Sequence, residues 1–335
     1  MLPQIQTLLD DIASTSDNRT TVFDVQAKEM ENGMLSLNGR MLDESQLKSL
    51  AETLSRQFRD LKLDIASVNI LNRPNLPRLH VATNLTGLYE KPTFGMPLSS
   101  ELYFGTEVEV LEEKHRWVFT RQRDGYLGWA YKPYLAEGDS LAATHLVLAP
   151  AIELRAELEA NSEVITRLVS GTGVVVGETS GDWARVIANQ TGWMPAVLLR
   201  SAKDFPQTDE ARRAKIVEDS ARMIGVPYLW GGTSGNGIDC SGFVRLLHHW
   251  IGIETPRDAD MQHAAAKPVE PPFEIGDLFF FAEGDGDRKV THVGISLGGW
   301  KMIHSSRGRN GVYMDDVQKK DSLRAIYLSA GSFLR

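Results

Sequence analysis

Val226-Pro227-Tyr228-Leu229-Trp230-Gly231-Gly232-Thr233, followed shortly by Gly237-Ile238-Asp239-Cys240-Ser241-Gly242-Phe243-Val244, decides how the C-terminal part of this chain is read. A glycine-rich loop delivers the chain's one cysteine to the start of an amphipathic helix. There the unpaired backbone N–H groups and the positive end of the helix dipole favour a thiolate. Thiols so placed can have pKa values lowered to about 3.5–7.5. The same N–H groups can hold an oxyanion, and Gly242 is expected to leave room for a substrate backbone. A lone cysteine at a helix start is otherwise a small buried hydrophobe, so the reading depends on its surroundings.

A thiolate needs a base, and the base needs a group that orients it. His292 opens the apolar run His292-Val293-Gly294-Ile295-Ser296, and His304 closes Trp300-Lys301-Met302-Ile303-His304. Their separation of twelve residues suits adjacent strands that bring both rings to one edge. His248 and His249 fall late in the cysteine's helix, His263 on a short helix, and His80, His115 and His145 among β-segments. These six are expected to be packed or solvated. Working outward, Thr208 caps a helix that ends before Gly225, a second helix runs from Cys240 to Gly252, and a short one follows Pro256. Strands are expected at Leu278–Phe281, Val293–Leu297, Lys301–Ser305 and Ala325–Leu328. Helices followed by an antiparallel run make an α+β domain over 208–335.

Pro227-Tyr228-x-Trp230-Gly231-Gly232, Asp239-Cys240-Ser241-Gly242-Phe243, Pro256-Arg257, Gly276-Asp277-Leu278-Phe279-Phe280, His292-Val293-Gly294-Ile295 and Ile303-His304 occur in this order. Over about 208–335 the chain resembles the NlpC-type cell-wall cysteine peptidases, which are papain-like. The resemblance implies hydrolysis of murein stem peptides between γ-linked D-Glu and an L-diamino acid. It makes Cys240 the nucleophile, His292 the base, His304 the third member and Tyr228 a hydroxyl near the oxyanion site. Neither metal nor cofactor is implied. Asp258, after Pro256-Arg257, is expected to bind the free amine of an N-terminal L-Ala. Glu90 and Tyr126 are candidates for the far wall of the pocket. Trp230, Ser241 and Arg257 flank the nucleophile motif and complete the expected substrate-binding set. Ala259 stands where the family often has Ser.

Two copies of a small all-β unit precede this domain. Gly105-Thr106-Glu107-Val108 and Gly171-Thr172-Gly173-Val174 lie 66 residues apart, as do Trp117 and Trp183, while Gly128-Trp129 and Gly192-Trp193 lie 64 apart. Short alternating strands and Gly or Asp turns fill the intervals. The pattern resembles bacterial SH3-like domains at 80–140 and 144–202. The first 75 residues read as a small α+β unit: strands over Val22–Glu29, Met34–Gly39 and Ile65–Leu71, and a helix over Asp43–Phe58 with Asp43 as its cap. Leu35-Ser36-Leu37-Asn38-Gly39 resembles BON-type domains. The expected architecture is thus multidomain: a papain-like α+β domain preceded by two SH3-like β-barrels and a small α+β unit. A fragment beginning near Thr208 is expected to fold by itself.

Composition limits the function classes. The 335 residues are 42% hydrophobic and 24% charged, ordinary for a globular protein of two or three domains. A net charge of −8 argues against nucleic acid or an anionic polymer held by bulk attraction. One cysteine excludes an internal disulfide and multi-cysteine zinc sites. No apolar run reaches the roughly 18 residues that span a bilayer, and Asp10 and Asp11 interrupt the stretch where a secretory h-region would continue. A cytoplasmic enzyme is expected, acting on free murein peptides such as L-Ala-γ-D-Glu-L-Lys or its diaminopimelate counterpart. The rivals are a secreted murein hydrolase that anchors through its β-repeats, and a non-catalytic wall-binding protein. The oligomeric state is left open.

Overall fold

A computed structural model describes residues 2–29, 34–58, 61–284 and 289–334. The chain forms two compact units, one comprising 1–79 with 107–132 and the other 80–106 with 133–335.

In the first unit, strands Phe23–Glu29, Met34–Met41 and Lys62–Ile70 form a sheet in that order, the first pair antiparallel and the second parallel. Helices Leu2–Thr15 and Glu44–Gln57 share its core through Ile5, Leu9, Leu37, Met41 and Leu54. The first helix was not anticipated, although Leu2, Ile5, Leu9 and Ile12 fall at helical spacing and all face that core. The second begins after Asp43, whose backbone N–H donates to Gln46 Oε1 at 2.9 Å. The remaining strands of this unit, Glu107–Lys114, Trp117–Arg121 and Leu127–Tyr131, are antiparallel neighbours.

In the second unit, Leu85–Tyr89 and Leu98–Tyr103 form a hairpin. Seven short strands between His145 and Ser201 form an antiparallel sheet around Val147, Leu154, Leu168, Val174, Val186 and Met194. After Thr208, whose Oγ1 accepts from Ala211 N at 3.3 Å, comes helix Asp209–Arg222. Helices Cys240–Trp250 and Ala259–Ala265 follow. A six-stranded antiparallel sheet completes the unit, in the order Lys267–Pro268, Tyr327–Ser332, Ile275–Glu283, Lys289–Leu297, Lys301–Ser306, Gly311–Asp316.

The run Leu278-Phe279-Phe280-Phe281 is apolar throughout because its strand is buried on both faces. Leu278 and Phe280 pack with Phe243, Val244 and Leu247 of the cysteine's helix. Phe279 and Phe281 pack with Phe273, Met302 and Leu323 on the other side. Two expectations change here. Ala325 and Ile326 finish helix Asp321–Ile326, so the last strand starts only at Tyr327. Gly311–Asp316 is an added edge strand, turned back by Asn310 in a left-handed conformation (φ 49°). Among the described residues no helix is long and apolar enough to cross a membrane.

The sheet of 145–201 is tied to the helical segment by buried polar contacts. Arg200 Nη1 and Nη2 reach Asp219 Oδ2 and Oδ1 at 2.6 and 3.1 Å, and Nη1 also donates to Trp250 O at 2.9 Å. Trp250 Nε1 donates to Val147 O at 3.0 Å.

Candidate active site

Cys240 is the first residue of its helix, and Asp239 is the cap. Asp239 Oδ1 accepts from Gly242 N at 2.7 Å, and Oδ2 accepts from Gly231 N at 2.9 Å. One carboxylate therefore ties the helix start to the preceding glycine loop. Arg257, only 1% exposed, holds that carboxylate from behind through Nη2 to Oδ2 at 2.7 Å and Nη1 to Oδ1 at 3.2 Å. Nη1 also donates to Ser241 Oγ at 3.0 Å, and Nε donates to Ser100 Oγ at 3.1 Å. Arg257 and Ser241, expected to touch substrate, are thus inner parts of a clamp on the loop before Cys240. Gly242 likewise serves the fold: a Cβ there would stand 2.3 Å from Gly232 O, so the space is filled by the loop itself.

The hairpin strand Leu98–Tyr103 braces this loop from the other side. Thr233 N donates to Glu101 Oε2 at 2.8 Å, and Tyr103 Oη donates to Thr233 O at 2.5 Å. At Gly231 (φ +78°) a Cβ would fall 2.3 Å from Leu98 O, so only glycine permits this approach. Burial raises the Glu101 carboxyl above its ordinary range, against the hydrogen bonds from Thr233 and Ser234.

The two expected histidines meet. His292 on strand Lys289–Leu297 and His304 on strand Lys301–Ser306 lie with His292 Nε2 and His304 Nδ1 2.6 Å apart. The backbone N–H groups of Val293, the residue after His292, and of Ser241 lie near enough to the Cys240 sulfur to favour its thiolate. With Nε2 committed to His304, Nδ1 is the other ring nitrogen of His292. The row of rings continues to a residue the sequence did not single out: His304 Nε2 lies 3.0 Å from Asp315 Oδ2. The hairpin register sets Tyr313 opposite His304 and Asp315 opposite Met302, so Asp315 is diagonal to His304 on the same face. Lys320 Nζ contacts the same oxygen at 2.8 Å.

The electrostatics depart from the expected low thiol pKa. Burial, and then the Asp239 carboxylate, push the Cys240 thiol up to about 12, outweighing the two N–H groups and Arg257. Burial, then the neighbouring His304 and Lys320, bring the His292 imidazole down to about 3. Each group alone is held neutral. Moving one proton from sulfur to His292 would make both charges together, and the mutual attraction of opposite charges offsets part of that cost. Burial and the neighbouring Cys240 also raise the half-buried Tyr228 phenol, which keeps its hydroxyl a donor.

Among the other expected residues, Trp230 is 60% exposed on the loop before Cys240. Asp258 precedes helix Ala259–Ala265 and stands 3.8 Å from Arg257 Nη1. Glu90 is exposed just beyond strand Leu85–Tyr89. Tyr126 is buried in the first unit, where its carbonyl accepts from Gln122 N at 2.9 Å. His248 is fully buried with Nδ1 on Val244 O at 2.8 Å, and His263 Nε2 meets Ser329 Oγ at 2.9 Å. Among the described residues no cluster of three or more His, Cys, Asp or Glu is arranged to hold a metal ion.

A capped helix that presents a cysteine to a histidine-bearing antiparallel sheet defines a cysteine peptidase. The NlpC/P60 family profile matches 225–330, and that of the bacterial dipeptidyl-peptidase Sh3 domain matches 88–130. The γ-D-glutamyl-L-lysine dipeptidyl-peptidase of Bacillus subtilis (strain 168) is 30% identical over 231 residues, 63% of this chain and 73% of that protein. The enzyme of the same name from Bacillus cereus (strain ATCC 10987 / NRS 248) is 29% identical over 233 residues, 64% of this chain and 69% of that protein. The crystal structure of an NlpC/P60 family protein from Bacillus cereus ATCC 10987 superposes with a TM-score of 0.68 at 23% identity, over 77% of this chain and all of that one, and shares the fold. The chain belongs to the NlpC/P60 family.

Proposed function

We propose that this peptidase hydrolyses the bond between γ-linked D-Glu and an L-diamino acid in free murein stem peptides that begin with L-Ala. In this reading it works in the cytoplasm, on peptides released during wall turnover. Cys240 is the nucleophile, His292 the base and His304 the group that orients the base. The observation that carries the reading is the 2.6 Å contact of His292 with His304 beside a capped, helix-borne thiol. The names of the two Bacillus relatives supply the bond type.

The thiol proton passes to His292 Nδ1 as the sulfur attacks the γ-amide carbonyl carbon. The Tyr228 hydroxyl donates to the oxyanion. His292 then returns the proton to the departing amine, and water, deprotonated by His292, releases the acyl group from sulfur. Asp258 binds the substrate's ammonium, with Glu90 the next candidate. The deciding experiment is mass spectrometry of products from L-Ala-γ-D-Glu-L-Lys, its diaminopimelate counterpart and the N-acetylated forms of both. Release of L-Ala-γ-D-Glu from the free peptides, with acetylated ones cut at least a hundredfold more slowly, is the expected result. Equal cleavage of intact sacculi favours a wall hydrolase instead. If acetylation slows cleavage but Asp258→Asn leaves that ratio unchanged, the amine is held elsewhere.

A further inference from the structure

We infer that Asp315 is a positioning residue that fixes the direction of the histidine relay and, with it, the nitrogen His292 offers to the thiol. The inference rests on the reading of Cys240 and His292 as nucleophile and base.

An ionised carboxylate only accepts hydrogen bonds. At 3.0 Å from Asp315 Oδ2, His304 Nε2 must carry the proton. With one proton on the ring, His304 Nδ1 is then an acceptor. The atom 2.6 Å from it, His292 Nε2, must be the donor. His292 therefore keeps its lone pair on Nδ1, the form that can accept a proton from Cys240. Each assignment forces the next. Take the carboxylate away and the chain can run in reverse, with His304 Nδ1–H donating to His292 Nε2 and a proton on His292 Nδ1. A ring in that state cannot act as the base.

The carboxylate is built into place. The Asp315 side chain is 13% exposed, Lys320 Nζ holds Oδ2 at 2.8 Å, and Arg309 Nη1 stands 3.6 Å from Oδ1. The contacts with His304 and Lys320 keep its pKa far below the ordinary carboxylate range, so it stays an acceptor at every pH at which the enzyme works. It also balances charge. As His292 takes the thiol proton, positive charge grows beside His304 and within electrostatic reach of Lys320. Asp315 is the anion that His304 and Lys320 both contact.

The test uses the full chain with ¹⁵N-labelled histidine. In the wild type the His292 ring is expected as the Nε2–H tautomer, and a proton found on Nδ1 overturns the inference whatever the variants do. In Asp315→Asn we expect a mixture of His292 tautomers and a kcat for L-Ala-γ-D-Glu-L-Lys lower by on the order of a hundredfold, with KM little changed. Asp315→Glu should restore the single tautomer and part of kcat, which a merely structural role does not require. Turnover within twofold of wild type in a folded Asp315→Asn, with His292 unmixed, overturns the inference and leaves the underlying reading intact. Failure of that reading shows separately, as near-normal turnover in His292→Ala.

Discussion

At the scale of single residues, the site can be tested by removal. Cys240→Ala changes one small buried side chain and should leave the fold intact while abolishing hydrolysis. His292→Ala should be nearly as damaging, because the thiol loses its proton acceptor. His304→Gln should keep part of the activity, since an amide oxygen can still accept from His292 Nε2. Peptide turnover by the purified variants checks all three. The thiol itself gives a pH signature. With its pKa pushed up to about 12, Cys240 is protonated in the free enzyme at neutral pH. Alkylation by iodoacetamide should therefore be slow at pH 7 and climb steadily above pH 9. A fast reaction that levels off below pH 7 contradicts the electrostatics described above. Cys240, His292 and His304 could be singled out as candidates in the sequence because each lies in a local motif with a chemical reason for its residue type, and the structure pairs the two histidines. Asp315 was not. Its role comes from a hairpin register across Asn310-Gly311, and nothing beside it in the chain marks it as a partner of His304. Arg257 was seen but given the wrong neighbours, since sequence proximity to the nucleophile helix does not reveal that its guanidinium points inward.

At the scale of elements, the helix Cys240–Trp250 carries both the Cys240 thiol and a pH liability. His248 is fully buried; Nδ1 faces Val244 O, while Nε2 has no hydrogen-bond partner among the described residues. Burial lowers its imidazole from 6.5 to about 4. A folded-state pKa below the unfolded value gives stability that is present above pH 6.5 and lost as pH falls through about 4. The group is fully buried, so the loss amounts to about 3 kcal/mol. Denaturant unfolding of the full chain between pH 7 and pH 4 should show this fall, and His248→Leu should flatten it. His292, lowered in the same direction, leaves a residual slope. An unchanged slope in His248→Leu removes His248 as its source. The clamp is the other device at this scale. Arg257→Met leaves the Asp239 carboxylate buried without its cation, a change that costs about 3–5 kcal/mol. The double variant with Asp239→Asn should lose less, and a thermal-melt cycle of the four proteins measures the difference. The main helices of the C-terminal domain and strands 275–283, 289–297 and 301–306 follow from apolar period and capping residues. The edge strand 311–316 escaped because an edge buries only one face and needs no apolar run.

At the scale of the whole molecule, the repeated Trp and Gly-Trp landmarks made the β-repeats legible as a duplicated unit. What they bear against was not, because partners of a buried arginine or glutamate lie far apart in sequence. The expectation that a fragment starting near Thr208 folds by itself ran into this limit. Within the second unit, removing residues before 208 strips Arg200 from Asp219, which is 1% exposed on its side chain. It takes the acceptor Val147 O from the Trp250 indole, Ser100 from Arg257, and Glu101 and Tyr103 from the loop before Cys240. Leu146 and Leu148 leave the core that holds Phe243 and Leu247. A buried carboxylate that loses its bidentate partner is costly, up to about 3–5 kcal/mol when no cation remains, and here only Arg222 Nε at 3.4 Å is left to Asp219, against a total stability of about 5–15 kcal/mol for a domain. Residues 208–335 alone should therefore fail to give a cooperative thermal transition, and Asp219→Asn in that fragment should recover part of the helical signal because the poorly compensated charge is gone. In the full chain, Tyr103→Phe, which removes only the hydroxyl that meets Thr233 O, should lower kcat while leaving the melting temperature within a few degrees. A cooperative fragment 208–335 that cleaves L-Ala-γ-D-Glu-L-Lys as fast as the full chain would make the β-repeats dispensable and refute their part in holding the nucleophile's loop.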